Sequence, residues 1–235
     1  MEKTSKVGKF LGRVLLLALG MCFIASCKPS PEKVAERTEL LFKAIDSNDV
    51  EMAKQCIKKG ANVNFERECG PNSKLYTPLI YAIQKENEEI IDVLIKSKAD
   101  VNHKDPSSKF SPLVWALRSG NESKRHSMIK KLAAVNADLS AGLFYAGKFP
   151  VSLNDMKFLI ELGADINAQD EDGWTPVMVA ASTGYDMKVL PFIQVGADLN
   201  IKSNDGDTAL SLAKESHAWN KDSLISLLKS CGAKE

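Results

Sequence analysis

The side chains best suited to chemistry are scattered along this 235-residue chain. Its three histidines, His103, His126 and His217, fall in different expected loops, and none has a helical partner at metal-ligand spacing. There is no Cys-x-x-Cys pair, no phosphate-cradling glycine loop and no Gly-x-Ser-x-Gly elbow. Asp170-Glu171-Asp172 sets three carboxylates side by side, as calcium would require. Without an oxygen-rich loop around them, a solvated turn tip is about ten times the better reading. Lys124-Arg125-His126 could face a phosphate, but its place between two helices favours a solvated connecting loop. The reading is therefore a non-enzyme with no catalytic residue, no metal, no cofactor and no small-molecule substrate.

The elements that carry these residues are written most clearly between Gly163 and Gly184. Gly163 can take the left-handed conformation that stops a helix. Asp170-Glu171-Asp172-Gly173 is turn chemistry for a tight hairpin. Thr175 can cap a new helix, and Pro176 sits where a first-turn proline loses no hydrogen bond. The Gly-Ala-Asp-x-Asn piece recurs at Gly60–Asn64, Lys98–Asn102 and Gly196–Asn200, with weaker copies at Asn136–Ser140 and Gly232-Ala233. The helix start recurs as Thr77-Pro78-Leu79, Ser111-Pro112-Leu113 and Thr208-Ala209-Leu210.

This pattern resembles the ankyrin repeat, a unit of about 33 residues that opens its first helix with Thr-Pro-Leu. The resemblance implies an all-α solenoid over residues 38–235, with about six helix-turn-helix repeats joined by short β-hairpin loops. The first and last repeats would be solubilising caps. It also implies a protein partner, gripped by hairpin tips and the open side of the first helices. Carried over by position, the contact residues are Tyr76, Phe110 and Trp174 before the helix starts, with Asp207 in the last unit. Past the first-helix alanines they are Gln84, Lys85, Arg118, Ser119, Ser182 and Thr183, with Lys214 and Glu215 in the last unit. Glu171 and Asp172 would supply the acidic tip. Aromatic and arginine side chains are the usual anchors of interfaces. The competing reading of the aromatics is that they pack between adjacent hairpins.

Residues 1–26 stand outside this pattern. Lys3, Lys6, Lys9 and Arg13 precede an apolar run, Val14 to Ala25, which is shorter than the roughly 20 residues of a spanning helix. The run closes on Ile24-Ala25-Ser26-Cys27, which resembles the lipobox of bacterial lipoproteins. By that resemblance Cys27 is lipidated after cleavage behind Ser26, and the chain is held on a membrane of a bacterial cell envelope. An ordinary signal peptide or uncleaved anchor with an incidental cysteine is the alternative. Residues 27–37, with Pro29-Ser30-Pro31, read as a short extended tether. Removing residues 1–26 leaves 27 basic and 29 acidic residues, a net charge of −2. That balance argues against nucleic acid as a partner.

Several units depart from the pattern. The loop 65–76 is about five residues too long, which enlarges the first finger. Roughly four extra residues fall within 121–127, read as a longer loop. Ser140 runs straight into Ala141-Gly142-Leu143-Phe144-Tyr145-Ala146, so the hairpin between units three and four is missing. Pro191 is expected near the first turn of its helix, and the last helix over 223–229. Cys56, Cys69 and Cys231 should be free thiols, mostly buried, with Cys69, in the loop after unit one, the one to watch. Two roles fit the whole: a membrane-anchored protein that holds or inhibits another envelope protein, as immunity factors do, or an envelope scaffold.

Overall fold

The computed structural model describes residues 29–69, 74–219 and 221–234. Among these residues twelve helices form six antiparallel pairs. The pairs are α1 (Pro31–Asp46) with α2 (Val50–Lys58), α3 (Pro78–Gln84) with α4 (Glu88–Lys96), and α5 (Pro112–Leu117) with α6 (Glu122–Ala133). They continue as α7 (Ser140–Lys148) with α8 (Leu153–Glu161), α9 (Pro176–Ser182) with α10 (Asp186–Gln194), and α11 (Ala209–Glu215) with α12 (Lys221–Ser230). First helices stack on first helices: α3 lies between α1 and α5, and α9 between α7 and α11. One continuous core runs through the stack, and Ala180, where α9 meets its neighbours, is 0% exposed.

The recurring motif does the same work in each unit. Its first residue has positive φ whether it is glycine or not: Gly60, Lys98, Asn136, Gly163, Gly196 and Gly232. Its asparagine builds a ladder between units. Asn64 Oδ1 accepts the Asp100 N–H at 2.8 Å, Asn102 the Asp138 N–H at 2.8 Å, Asn167 the Asp198 N–H at 2.9 Å and Asn200 the Lys234 N–H at 2.8 Å. The one missing rung, among the described residues, lies between units three and four. There Ser140 replaces the asparagine and begins α7, while the Asp138 carboxylate accepts the Ser140 N–H at 3.0 Å. The chain thus turns directly into a helix where a finger would project. Gly147 lets that helix lie close to α9, since a Cβ there would meet the Pro176 carbonyl oxygen at 2.8 Å.

Five expectations need correction. The tether is shorter than residues 27–37, because α1 begins at Pro31 with Ser30 as its N-cap. Proline at the first helical position gives up no hydrogen bond, so Pro29-Ser30-Pro31 opens a helix where it was expected to block one. The extra residues of unit three lengthen a helix rather than a loop: α6 has 12 residues where α2, α4, α8 and α10 each have 9. Its Asn121 cap accepts the Lys124 N–H at 3.0 Å, so Lys124-Arg125-His126 is helical. Pro191 is the sixth residue of α10, in its second turn, and removes one bond from the helix interior. The last helix is longer at both ends than 223–229. Cys56 and Cys69 are buried, and Cys231 is the exposed thiol.

Of the hairpins, the enlarged finger before unit two forms a strand pair among the described residues. β1 (Arg67–Cys69) pairs antiparallel with β2 (Lys74–Tyr76), with Arg67 opposite Tyr76. The others are turns closed by single bonds, such as Asp170 N–H to the Trp174 carbonyl at 2.9 Å and Ser203 N–H to the Asp207 carbonyl at 2.8 Å.

Candidate functional site

The turn 103–110, before unit three, is held from inside by one carboxylate. Asp105 is 0% exposed and accepts the N–H groups of Ser107 at 3.1 Å, Ser108 at 2.7 Å and Phe110 at 3.2 Å. It also accepts the Trp115 indole N–H at 3.1 Å and the Ser108 hydroxyl. Burial raises its pKa, but the hydrogen bonds from Ser108, Trp115 and Phe110 outweigh burial and hold it below the ordinary value.

Around this turn a row of aromatic rings crosses three units. Tyr76 meets Trp115 edge-on at 5.4 Å, Trp115 meets Phe110 at 5.9 Å, and Phe110 meets Tyr145 at 5.2 Å. Tyr145 stacks on Phe149 at 4.7 Å. Edge-to-face contacts at these separations each contribute about 0.5–1.5 kcal/mol beyond area burial. Arg118 closes the row from outside: its guanidinium lies 5.3 Å from the Trp115 ring and donates to the Tyr145 hydroxyl at 3.0 Å.

The row ends in a groove. Where the finger between units three and four is absent, a cavity of about 580 Å³ opens between the turn 103–110 and the tip of the turn 167–174. Phe110, Tyr145 and Phe149 line it, together with Ser111 from the start of α5 and Asp170 and Glu171 from the far turn. That volume is within the range of sites that enclose a ligand.

Six helix pairs at this spacing, with a left-handed residue and an Asp/Asn ladder in step with them, decide the family. The chain is an ankyrin-repeat protein. The family described as ankyrin repeats matches it in three copies, over residues 15–105, 41–141 and 143–234. Short stretches also match curated proteins. The human 2-5A-dependent ribonuclease is 40% identical over 65 residues, 28% of this chain and 8% of that protein. The mouse protein phosphatase 1 regulatory subunit 27 is 50% identical over 34 residues, 14% of this chain and 22% of that protein. The chain thus spans under a quarter of the length of either relative.

Within the ankyrin frame the expected contact residues separate into groups. Phe110 and Glu171 line the groove from opposite walls, and the Arg118 guanidinium lies 5.8 Å from the Phe110 ring. Tyr76 is only 7% exposed, so it packs against Trp115 beneath the surface and offers a partner little. Trp174 is half-buried against the core, and its backbone N–H donates to the Asp170 carboxylate at 2.8 Å. Gln84 and Lys85 are exposed, Lys85 in an ion pair with Asp46 at 3.0 Å. The Ser119 hydroxyl donates to Glu86 at 2.6 Å, while Ser182 and Thr183 donate back to carbonyls of α9. The carbonyls of Glu171 and Asp172 bond Asn204 of the next turn, and Asp170 folds its own turn by accepting the N–H of Asp172 at 3.1 Å. Sequence reasoning missed Trp115, Tyr145 and Phe149. The signal was there: aromatics on successive first helices that share one face of the stack.

The polar run of unit three is structural. Asp155, 3% exposed, accepts Arg125 Nε at 2.9 Å and the Ser152 hydroxyl at 2.7 Å, and lies 2.8 Å from His126 Nε2. His126 stacks on Phe158 at 4.0 Å. These contacts tie α6 to the start of α8.

Proposed function

We propose that this ankyrin-repeat chain is a lipid-anchored binding protein of a bacterial envelope that holds or inhibits another protein through its groove. Ankyrin repeats bind proteins by their fingers and first helices, and this chain reshapes that surface by enlarging its first finger and omitting the one between units three and four. The observation that carries the reading is the groove itself. It is an aromatic-lined opening of about 580 Å³, and the chain reaches it by giving up one finger and one rung of its ladder. No catalytic role is proposed.

The anchor rests on Ile24-Ala25-Ser26-Cys27 and the basic, then apolar, stretch before it, which lie outside the described residues. With α1 starting at Pro31, three residues separate Cys27 from the first helix. At about 3.5 Å per residue they reach only ~10 Å, so a lipid on Cys27 would hold unit one against the bilayer surface. Two or more acyl chains are needed for stable attachment. Replacing Cys27 with serine is expected to release the protein into the soluble fraction or leave an uncleaved precursor. A Cys27→Ser protein that stays membrane-bound at mature size refutes the anchor.

A scaffold with two partners is the second reading. Trp219 and Met187 are 89% and 75% exposed, with Tyr185 and Leu190 also open, in the second helix of unit five and the link within unit six. Scaffolding predicts a second, independent contact there.

A further inference from the structure

We infer that the vacant finger position receives a tight turn of the partner protein, one that carries an apolar side chain flanked by carboxylates. This rests on the binding role above and names the ligand.

Elsewhere in the stack this row of space is filled by turns of polypeptide, and adjacent turns bond one another. Asn204 N–H donates to the Asp172 carbonyl at 3.0 Å, and Gln169 Nε2 to the Lys202 carbonyl at 3.0 Å. On its other side the turn 167–174 faces the groove. The space left by one missing turn has the shape of a turn.

Ser111 marks the groove as built for contact. Thr77, Thr175 and Thr208, at the same place in their units, accept the N–H groups of Ile80, Met178 and Ser211 and so cap their helices. Ser111 makes no such cap. It is 4% exposed, it lines the groove, and its Oγ is the one buried side-chain oxygen or nitrogen without a partner among the described residues. An unsatisfied buried hydroxyl is costly, and a peptide group arriving in the groove would satisfy it.

The charges select the ligand. Lys104, Lys109 and Lys148 line the groove, and none is in an ion pair among the described residues. Lysines of the neighbouring helices are paired, as Lys124 is with Glu86 and Lys131 with Asp92. The three free ammonium groups beside Phe110, Tyr145 and Phe149 disfavour a cation over the rings. They favour an apolar side chain with carboxylates next to it. Of the acids that line the groove, Asp138 is held at the start of α7, where its carboxylate accepts the Ser140 N–H at 3.0 Å. Asp170 and Glu171 on the far wall carry no ion pair among the described residues, and would turn the acidic edge of the ligand toward Lys104 and Lys109.

The test uses full-length protein and three labelled cyclic hairpin peptides of about ten residues. One holds Trp at the turn between two glutamates, one holds Trp between two lysines, and one keeps the glutamates but has Ala for Trp. By fluorescence anisotropy the Glu–Trp peptide should saturate, and the other two should bind at least about tenfold more weakly. Ser111→Ala should weaken the Glu–Trp peptide about three- to tenfold with an unchanged melting curve, because its hydroxyl supports no helix cap. Ala141→Trp, which fills the groove, should abolish binding.

Equal binding of the glutamate and lysine peptides overturns the proposal, and so does binding retained in Ala141→Trp. Equal binding of the Trp and Ala peptides reduces the groove to a simple anion site and overturns it too. If no peptide saturates while a partner is still captured at the groove, the ligand chemistry is wrong and the binding role stands.

Discussion

Asp155→Ala should lower stability by about 3–5 kcal/mol, the range for removing one partner of a buried ion pair. The loss is large because the change leaves Arg125, whose side chain is 12% exposed, without its carboxylate. Arg125 keeps only the Ser119 carbonyl, to which Nη1 donates at 2.6 Å. For a chain of this length the shift in melting temperature is on the order of 10 °C. Since stability in a solenoid is shared between neighbours, units three and four should melt first. Arg125→Ala combined with Asp155→Ala should cost clearly less than the two single losses together, because no lone charge remains. Strict additivity in thermal or urea melts would show that the pair is not coupled.

Asp105→Ala is expected to cost about 2–4 kcal/mol, since several hydrogen bonds end on this one carboxylate and the buried Trp115 indole is left without an acceptor. The damage should be local to the turn 103–110, the wall of the groove. Trp115 emission should shift to the red, and partner binding should fall together with it. Unchanged fluorescence and unchanged binding would mean that the turn keeps its shape without Asp105.

The two carboxylates also fix an acid limit. In Asp155 burial raises the pKa, but the hydrogen bonds from Ser152, Arg125 and His126 outweigh it and lower the pKa. Asp105 is lowered in the same way. A folded pKa below the unfolded value near 3.9 contributes stability that is complete above that value. It is lost as pH falls through the folded pKa. Stability should therefore drop below about pH 4, and Asn at either position should flatten that slope.

The repeat was legible because its chemistry is local. A left-handed residue, a turn and a Thr-Pro helix start each act within a few positions, so Gly163 to Gly184 spells out its own backbone. The absent finger was legible for the same reason, since Ser140 leaves no residues to build one. What the sequence hid was long-range or depended on position within an element. Lys124-Arg125-His126 looks like a loop until Asp155, 30 residues on from Arg125, supplies the carboxylate that holds Arg125 and His126. Pro31 looks like a helix breaker, but at the first position it is a helix starter. Tyr76 and Phe110 were visible as aromatics before helix starts. That Tyr76 is roofed by Trp115, while Phe110 opens onto Tyr145 and Phe149, depends on which neighbouring unit has lost its finger.

The central claim is that the partner sits in the vacant finger position. The most direct measurement is photo-crosslinking in intact envelopes, with benzoylphenylalanine placed at Phe149 in the groove or at Met187 on α10. Both sites are open, at 39% and 75% exposure, so access does not bias the comparison toward the groove. The account predicts one discrete adduct from the Phe149 site, lost when Ala141→Trp is added. An adduct from Met187 alone, or a Phe149 adduct that survives Ala141→Trp, would contradict it.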